Sequence, residues 1–531
     1  LQETEQNLNE VVVTALGIKK EAKRLGYATA IVSPEQVTTN RTVNFMNALQ
    51  GKIAGVNISS LGTGAAGTSK IRIRGQSSFS GQNSPLIVVN GVPIDNSNFG
   101  QNNGNVGSDG AIASRNGDNY SDGGDGLSSI NPDDIEGMTV LKGGTAAALY
   151  GSRAKDGAIL ITTTTTGTGQ GIGVTYNSNF TTDQPLDFTD FQYEYGQGEY
   201  GVRPTAPNPT SGVWSFGEKF QPGMTQVLFG GVTVPYEPVY NRISKFYRTG
   251  TTWTNSVAVS SGNDRGGFNL SVSNLENKGI TRNNSYNRKT INLGFSYNLS
   301  PKLTVTGTIN YSNEYNKNPP QIAQQDNSTP TVIYTLANSM PLDLLEANQI
   351  NPATGNEFVY SRFMNRTNPY FVLSNKFENI RRDRLFGNIS ARYNFTDWLY
   401  LQGRVGQDFW ARDQDYNFPT GQASLAAAPA GFVNGRYVQD ARRFREINAD
   451  FLIGANRKFG AIGIDLTAGG NQLYRRSDLN SVLVTDFIVR GLYTPQNGRV
   501  KDPLYSLSER KVNSLYGAAE LSYKDVLFIN G

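Results

Sequence analysis

The sequence predicts a mainly β protein. Its larger, carboxy-terminal part reads as an antiparallel sheet that crosses a membrane as a β-barrel wall, and a smaller α+β segment precedes it. Three observations predict this. Beyond about residue 260, apolar and polar residues alternate strictly over runs of about ten residues, the period of a strand with oil on one face and water on the other. The runs are joined alternately by tight turns and by long polar segments, so that one rim carries turns and the other loops. Hydrophobic residues make up 37% and charged residues 17%. The balance is uncharged polar, and with 26 Tyr and 26 Phe it suits sheets with one apolar and one wet face better than a soluble core or a disordered polyelectrolyte.

In chain order, residues 1–20 are polar apart from Val11-Val12-Val13. Residues 21–168 form a mixed segment. Val43 to Gln50 is helix-like, with Val43, Met46, Ala48 and Leu49 loosely on one side. Short apolar strands surround it, among them Ile71 to Ile73, Leu86 to Val89, Met138 to Leu141 and Ala158 to Ile161. A small-residue helical turn is expected over Thr145 to Tyr150. Phe99 to Asp125, rich in Gly, Asn, Asp and Ser, reads as a long loop. Thr162 to Gly169 reads as a linker between this segment and residues 169–531.

In that last region Phe268, Leu270 and Val272 alternate with Asn269, Ser271 and Ser273. Ile291 to Leu299 alternates likewise, turns at Ser300-Pro301, and returns through Leu303 to Tyr311. A hairpin follows with Leu385, Ile389 and Tyr393 on one face and Asn388, Ser390 and Arg392 on the other. It turns at Thr396-Asp397. Further hairpins turn near Arg457 to Gly460 and at Lys524-Asp525. Long polar segments are expected at 183–250, 315–383, 411–443 and 475–510. Tyr297, Tyr393, Phe395 and Tyr523 sit beside the short turns, where an interfacial aromatic girdle belongs.

Residues 130–163, INPDDIEGMTVLKGGTAAALYGSRAKDGAILITT, resemble the end of the plug domain of SusC-type (SusC/RagA-type) TonB-dependent outer-membrane transporters. Ala48 to Val56, Ile71 to Gly75 and Pro85 to Ile94 resemble the same family, in the same order. Gly143-Gly144 and Thr162 to Thr166 depart from the family pattern without altering the architecture. The resemblance implies a plug over residues 21–168 inside a barrel of 22 strands when complete. About ten strands plus the start of another at Val526 to Ile529 are legible, so the expectation is the first half of a longer polypeptide. An open sheet would leave unpaired edges in lipid.

Asn9 to Ala15 resembles a TonB box. The resemblance assigns Glu10, Val11, Val12, Val13, Thr14 and Ala15 to binding TonB, by adding an extended segment to a partner's sheet edge. The alternative is that Val11 to Val13 is simply the first plug strand. Arg72 and Arg74, two residues apart, are expected on one strand face, pairing with inward carboxylates of the wall or serving the plug's own structure. Gly62-Thr-Gly-Ala-Ala-Gly67 satisfies the dinucleotide spacing, but the residues after it read as strand rather than helix, so it reads as a turn. Asp118 to Asp125 fails as an EF-hand, with Tyr120 and Ser129 at ligand positions; an irregular oxygen-ligand site or a solvated loop remain as readings. Aromatics and amides at Phe188 to Tyr200 and Trp410 to Phe418 suit sugars, peptides or loop packing alike.

With neither Cys nor His, disulfides, thiol or imidazole catalysis and the usual transition-metal ligands are excluded. No catalytic, metal or cofactor site is expected, and no enzyme. A net charge of +4 without basic runs argues against nucleic acid. The implied function is TonB-dependent import of an oligosaccharide or peptide nutrient by a multi-pass protein of the bacterial outer membrane. The implied partners are TonB with its inner-membrane motor complex, a SusD-like surface lipoprotein and outer-membrane lipid. The alternative is a scaffold or secretion-associated channel of the same architecture.

Overall fold

A computed structural model of the chain describes residues 11–13, 19–21, 29–39, 41–60, 62–76, 78, 83–97, 122–167, 169, 171–207, 212–321, 328–364, 366–424, 431–524 and 526–531. At the amino terminus β1 (Val11–Val13) pairs antiparallel with β2 (Lys19–Glu21).

The plug begins with β3 (Thr29–Val32) and α1 (Pro34–Thr38), whose first position is Pro and whose Gln36 side chain accepts from the Ser33 amide. A 3-10 turn, Phe45–Leu49, buries Phe45, Met46, Ala48 and Leu49. It is shorter and tighter than the helix expected over Val43 to Gln50, because Asn44 caps it by accepting from the Met46 amide. Then come β4 (Val56–Ser60), β5 (Ser69–Ile73), β6 (Leu86–Val89) and β7 (Val92–Ile94). After the 3-10 turns Leu127–Ser129 and Pro132–Asp134 follow β8 (Ile135–Leu141), α2 (Gly144–Tyr150) and β9 (Ala158–Thr163). Thr162 and Thr163 therefore end a strand rather than begin the linker. The five-stranded sheet has the order β3-β8-β9-β6-β7, with β6 and β9 parallel. β4 and β5 form a separate hairpin. Val32, Leu49, Ile58, Ile71, Ile87, Leu127, Val140 and Ile159 are among the residues of one apolar core.

The wall is one antiparallel sheet of eleven strands, ordered by sequence. β10 (Gly171–Asp183) is followed by a segment carrying β11 (Thr225–Val227), β12 (Thr233–Pro235) and α3 (Arg242–Phe246). β13 (Gly250–Asn263), β14 (Gly266–Lys278), β15 (Ser285–Ser300) and β16 (Leu303–Lys317) come next. α4 (Thr329–Thr335), α5 (Leu342–Ala347) and α6 (Pro369–Asn375) interrupt before β17 (Glu378–Asn394) and β18 (Leu399–Phe418). The last strands are β19 (Arg436–Phe459), β20 (Ile462–Phe487), β21 (Gly498–Tyr523) and the short β22 (Leu527–Asn530).

Side chains along these strands are sorted inside out. Leu270, Val272, Ile291, Ile309, Ile389, Val405 and Ile453 are exposed, whereas Ser271, Thr290, Asn292, Asn310 and Ser312 are buried. That is the arrangement of a sheet whose outer face meets lipid and whose inner face meets a polar filling. Tyr297, Tyr393, Phe395 and Tyr523 are exposed beside the short turns, and Trp398 and Phe459 join them. Among the described residues no helix is long and apolar enough to cross a membrane.

Two differences from expectation have one physical cause. β18 runs to Phe418 and β19 starts at Arg436, so Trp410 to Phe418 is strand, not loop. Past the apolar band the phase inverts: Trp410, Tyr416 and Phe444 are buried inside, while Asp413 and Arg443 are exposed. The apolar-outside pattern that marks a lipid-facing strand therefore stops before the strand does. The long segments on the same rim also have their own core, in which Leu228, Phe246, Ile333, Met340, Leu345 and Tyr370 pack together.

Candidate functional site

The site is the seam where plug meets wall. It starts from the segment Asp122 to Ser129, which is held on both sides. Toward the plug, the Asp122 carboxylate accepts from Thr63 Oγ1 at 2.5 Å and from the Thr68 amide and hydroxyl at 2.6 Å each. Asp125 accepts from Asn44 Nδ2 at 3.0 Å, from the Ser69 amide at 2.8 Å and from the Ser128 amide at 3.1 Å. Burial pushes the Asp125 carboxyl up to about 6, against those amide donors and with Asp122 adding repulsion.

Toward the wall, the backbone of the same segment is read by arginines. Arg382 Nη2 donates to the Asp125 carbonyl (2.9 Å), to Ser128 Oγ (2.8 Å) and to Glu314 (2.6 Å). Glu314 also accepts from Ser129 and from Tyr286. Arg288 donates to the carbonyls of Ser128 and Val43. Arg384 holds Asp408 through two nitrogens at 2.9 and 2.7 Å and donates onward to the carbonyls of Gly126 (2.9 Å) and Asp95 (2.8 Å). A side chain at Gly126 would collide with the Asp95 carbonyl and the Arg384 guanidinium, so glycine is required there.

A second cluster completes the seam. The Asp95 amide donates to Asp408 (2.8 Å), and its carboxylate accepts from Arg475 (3.0 Å) and Trp410 Nε1 (3.3 Å). Trp410 stacks on Phe444 at 5.5 Å and 10°, and Arg475 lies over the same Phe444. Plug Arg153 grips wall Glu446 with two bonds of 2.8 and 3.1 Å. Charge thus alternates from plug to wall and back: Arg153, Glu446, Arg475, Asp95. Buried pairs of this kind gain little net energy, but breaking one partner leaves the other stranded.

The residues expected from the sequence are placed as follows. Glu10, Thr14 and Ala15 lie outside the described residues, and Val11 to Val13 form β1. Arg72 is half-buried opposite Asn57 on β5. Arg74 does not share its strand face: the strand ends at Ile73, Arg74 takes a positive φ of 58° and is exposed, and its amide donates to the Gly55 carbonyl. Its guanidinium lies beside Gly143 of the plug itself. No ion pair joins either residue to another described residue. No helix follows Gly62 to Gly67, so it is a turn. Of the Asp118 to Asp125 loop, Asp118 to Ser121 lie outside the described residues, and Asp122 and Asp125 are engaged as above. Among the described residues no three acidic, His or Cys side chains group as metal ligands. The wall arginines were missed. Their signal was a charged residue on the inner phase of an otherwise amphipathic strand, as in Arg382-Asp383-Arg384 beside Leu385.

The comparisons with known proteins agree with this geometry. The family described as "TonB-dependent Receptor Plug Domain" matches residues 21–158. That match covers the amino-terminal five-stranded sheet up to the start of β9, ahead of the eleven-stranded wall. SusC of Bacteroides thetaiotaomicron is 26% identical over 494 residues, covering 89% of this chain and 43% of that protein. Receptor P26 of Formosa agariphila is 32% identical over 161 residues, covering 30% of this chain and 13% of that one. In the solved structure of the RagAB peptide importer in its open-open state, one chain superposes with a TM-score of 0.69 at 16% identity, covering 98% of this chain and 55% of that one. The chain thus carries a TonB-dependent receptor plug domain over residues 21–158 and is similar to SusC along most of its own length. It spans less than half the length of SusC.

Proposed function

We propose that the chain is the plug and part of the wall of an outer-membrane importer that takes up an oligosaccharide or peptide, driven by TonB through Glu10 to Ala15 and served by a SusD-like surface lipoprotein. The observation that carries this reading is the seam itself. The plug is held to the wall by ion pairs and by arginines on backbone carbonyls, contacts that water can replace once the plug shifts. Arg72 and Arg74 are proposed as further polar contacts between plug and wall.

Deletion of Glu10 to Ala15 in the full-length protein tests the proposal. Uptake by cells is expected to be lost while ligand binding by the purified protein is retained. Unchanged uptake would remove TonB coupling, and co-purification of secretion components in place of a surface lipoprotein would favour the channel alternative.

A further inference from the structure

The outer face of the wall is not evenly filled. Across β17 to β21 the register sets Ala391, Gly403, Phe451, Gly470 and Leu515 in one row. A side chain at Gly403 would meet nothing within 4 Å. An apolar groove of about 830 Å³ results, walled by Ile389, Val405 and Phe451, which are exposed on the lipid-facing phase of their strands. At the end of the groove nearer the loops, two exposed amides pair: Gln472 Nε2 donates to Asn513 Oδ1 at 3.0 Å.

Basic side chains border the same face. Four residues beyond Ala449 and Gln472, Arg445 and Arg476 stand directly opposite each other on β19 and β20. Lys511 lies on β21, two residues from Asn513 toward the loops. All three are exposed. Arg476 is engaged by Glu509 at 3.1 Å and by Asp478 at 3.8 Å. Arg445 lies over the Phe409 ring, and neither it nor Lys511 forms an ion pair with another described residue. Like charges opposed across a ladder repel, and the two acids engage only Arg476. Cations at the border of a bilayer attract lipid phosphates, and an apolar groove below them takes hydrocarbon out of water. Free phosphate would use the cations alone. The groove and the cations lie on one face, four residues or roughly 13 Å of strand apart, and together they fit a molecule that has both a charged head and an acyl chain.

We propose that this face holds one phosphate-bearing lipid of the leaflet on the loop side. Arg445 and Lys511 take its phosphate, and one acyl chain lies in the groove over Gly403 and Gly470. The Gln472–Asn513 pair lies between, level with the polar linkage of head to chain. The site rests on the wall crossing a membrane, and not on what the protein imports.

Native mass spectrometry of the full-length protein in detergent tests it, with dioleoyl phosphatidic acid as the probe. Dioleoylglycerol, dihexanoyl phosphatidic acid and inorganic phosphate are the comparisons. One dioleoyl phosphatidic acid is expected to be retained, and each comparison to bind more weakly. Arg445→Gln and Lys511→Gln are each expected to weaken retention roughly fivefold. Gly403→Leu, which fills the groove, is expected to weaken it about tenfold, the loss of roughly two buried methylenes. Lys289→Gln, which removes an exposed cation of β15 outside the groove, is expected to change nothing. Equal retention of dioleoylglycerol, or an equal loss in Lys289→Gln, would overturn the phosphate contact and the proposal. Equal retention of the dihexanoyl lipid with Gly403→Leu silent would mean an anion site without a lipid, and would overturn it too. A full-length protein that stays soluble without detergent would sink the wall and the site together, whereas a detergent-held barrel that retains no lipid would sink the site alone.

Discussion

Within the plug, Val140, Ile159 and Leu127 are buried among aliphatic side chains, and β8 and β9 share an antiparallel ladder. At its rim, Asp125, Gly126 and Ser128 are held by Arg288, Arg382 and Arg384 of the wall. One region coheres by apolar burial and the other by directional polar bonds. The difference teaches how a barrel can hold a stopper firmly without fusing to it. Apolar packing resists rearrangement everywhere at once, whereas hydrogen bonds can be exchanged for water one by one. Phe386, a wall residue packed into the plug core, is where the two chemistries meet.

The comparison breaks if damage at the rim and damage in the core have the same consequence. Arg384→Ala strands Asp408 and frees the carbonyls of Gly126 and Asp95. Losing one partner of a buried pair costs about 3–5 kcal/mol. The expected result is faster hydrogen exchange over residues 122–130 with β8 and β9 unchanged. Ile159→Ala opens a cavity in the core at about 2–5 kcal/mol. Exchange is then expected to rise across β6, β8 and β9. Identical exchange maps for the two variants would erase the distinction.

The smallest expected effect comes from acidity. The Asp125 carboxyl is raised from 3.8 to about 6 in the folded plug. Between those values the folded plug keeps a proton that the unfolded chain releases. Asp125 therefore adds stability as pH falls from above 6 toward 4, and withdraws it as pH rises. The span corresponds to roughly 2–3 kcal/mol at most. Burial is the main cause of the rise, with Asp122 adding to it and Arg382 opposing it. Protection of residues 122–130 is expected to be greater at pH 5 than at pH 7.5, and Asp125→Ala is expected to flatten that dependence.

Much of the wall was legible. Leu270-Ser271-Val272 or Leu385 to Tyr393 can satisfy both lipid and a wet interior only as strands, since the period of 2 matches the pleat. Legibility failed at the outer rim. Trp410 and Tyr416 face inward there, and the outer face meets water rather than oil, so the alternation inverts. It also failed for α3 to α6, because short helices inside a polar segment are stabilised by contacts with each other and not by a periodicity long enough to read. At the seam, Arg382 and Arg384 could be seen as charges on an inner face, but not their partners. Gly126 and Asp95 are separated from Arg384 by more than 250 residues in sequence.

The sequence by itself determined the class of fold, the division into plug and wall, the lipid-facing side chains and the positions of the tight turns. These follow from local chemistry: period, turn residues and the family's short motifs. Tertiary structure alone decided which groups meet across the seam. It seated Arg153 on Glu446 and gave Asp95 to Arg475. Such pairings depend on strand register and on where the plug lies in the wall, and no local rule of a linear chain encodes them.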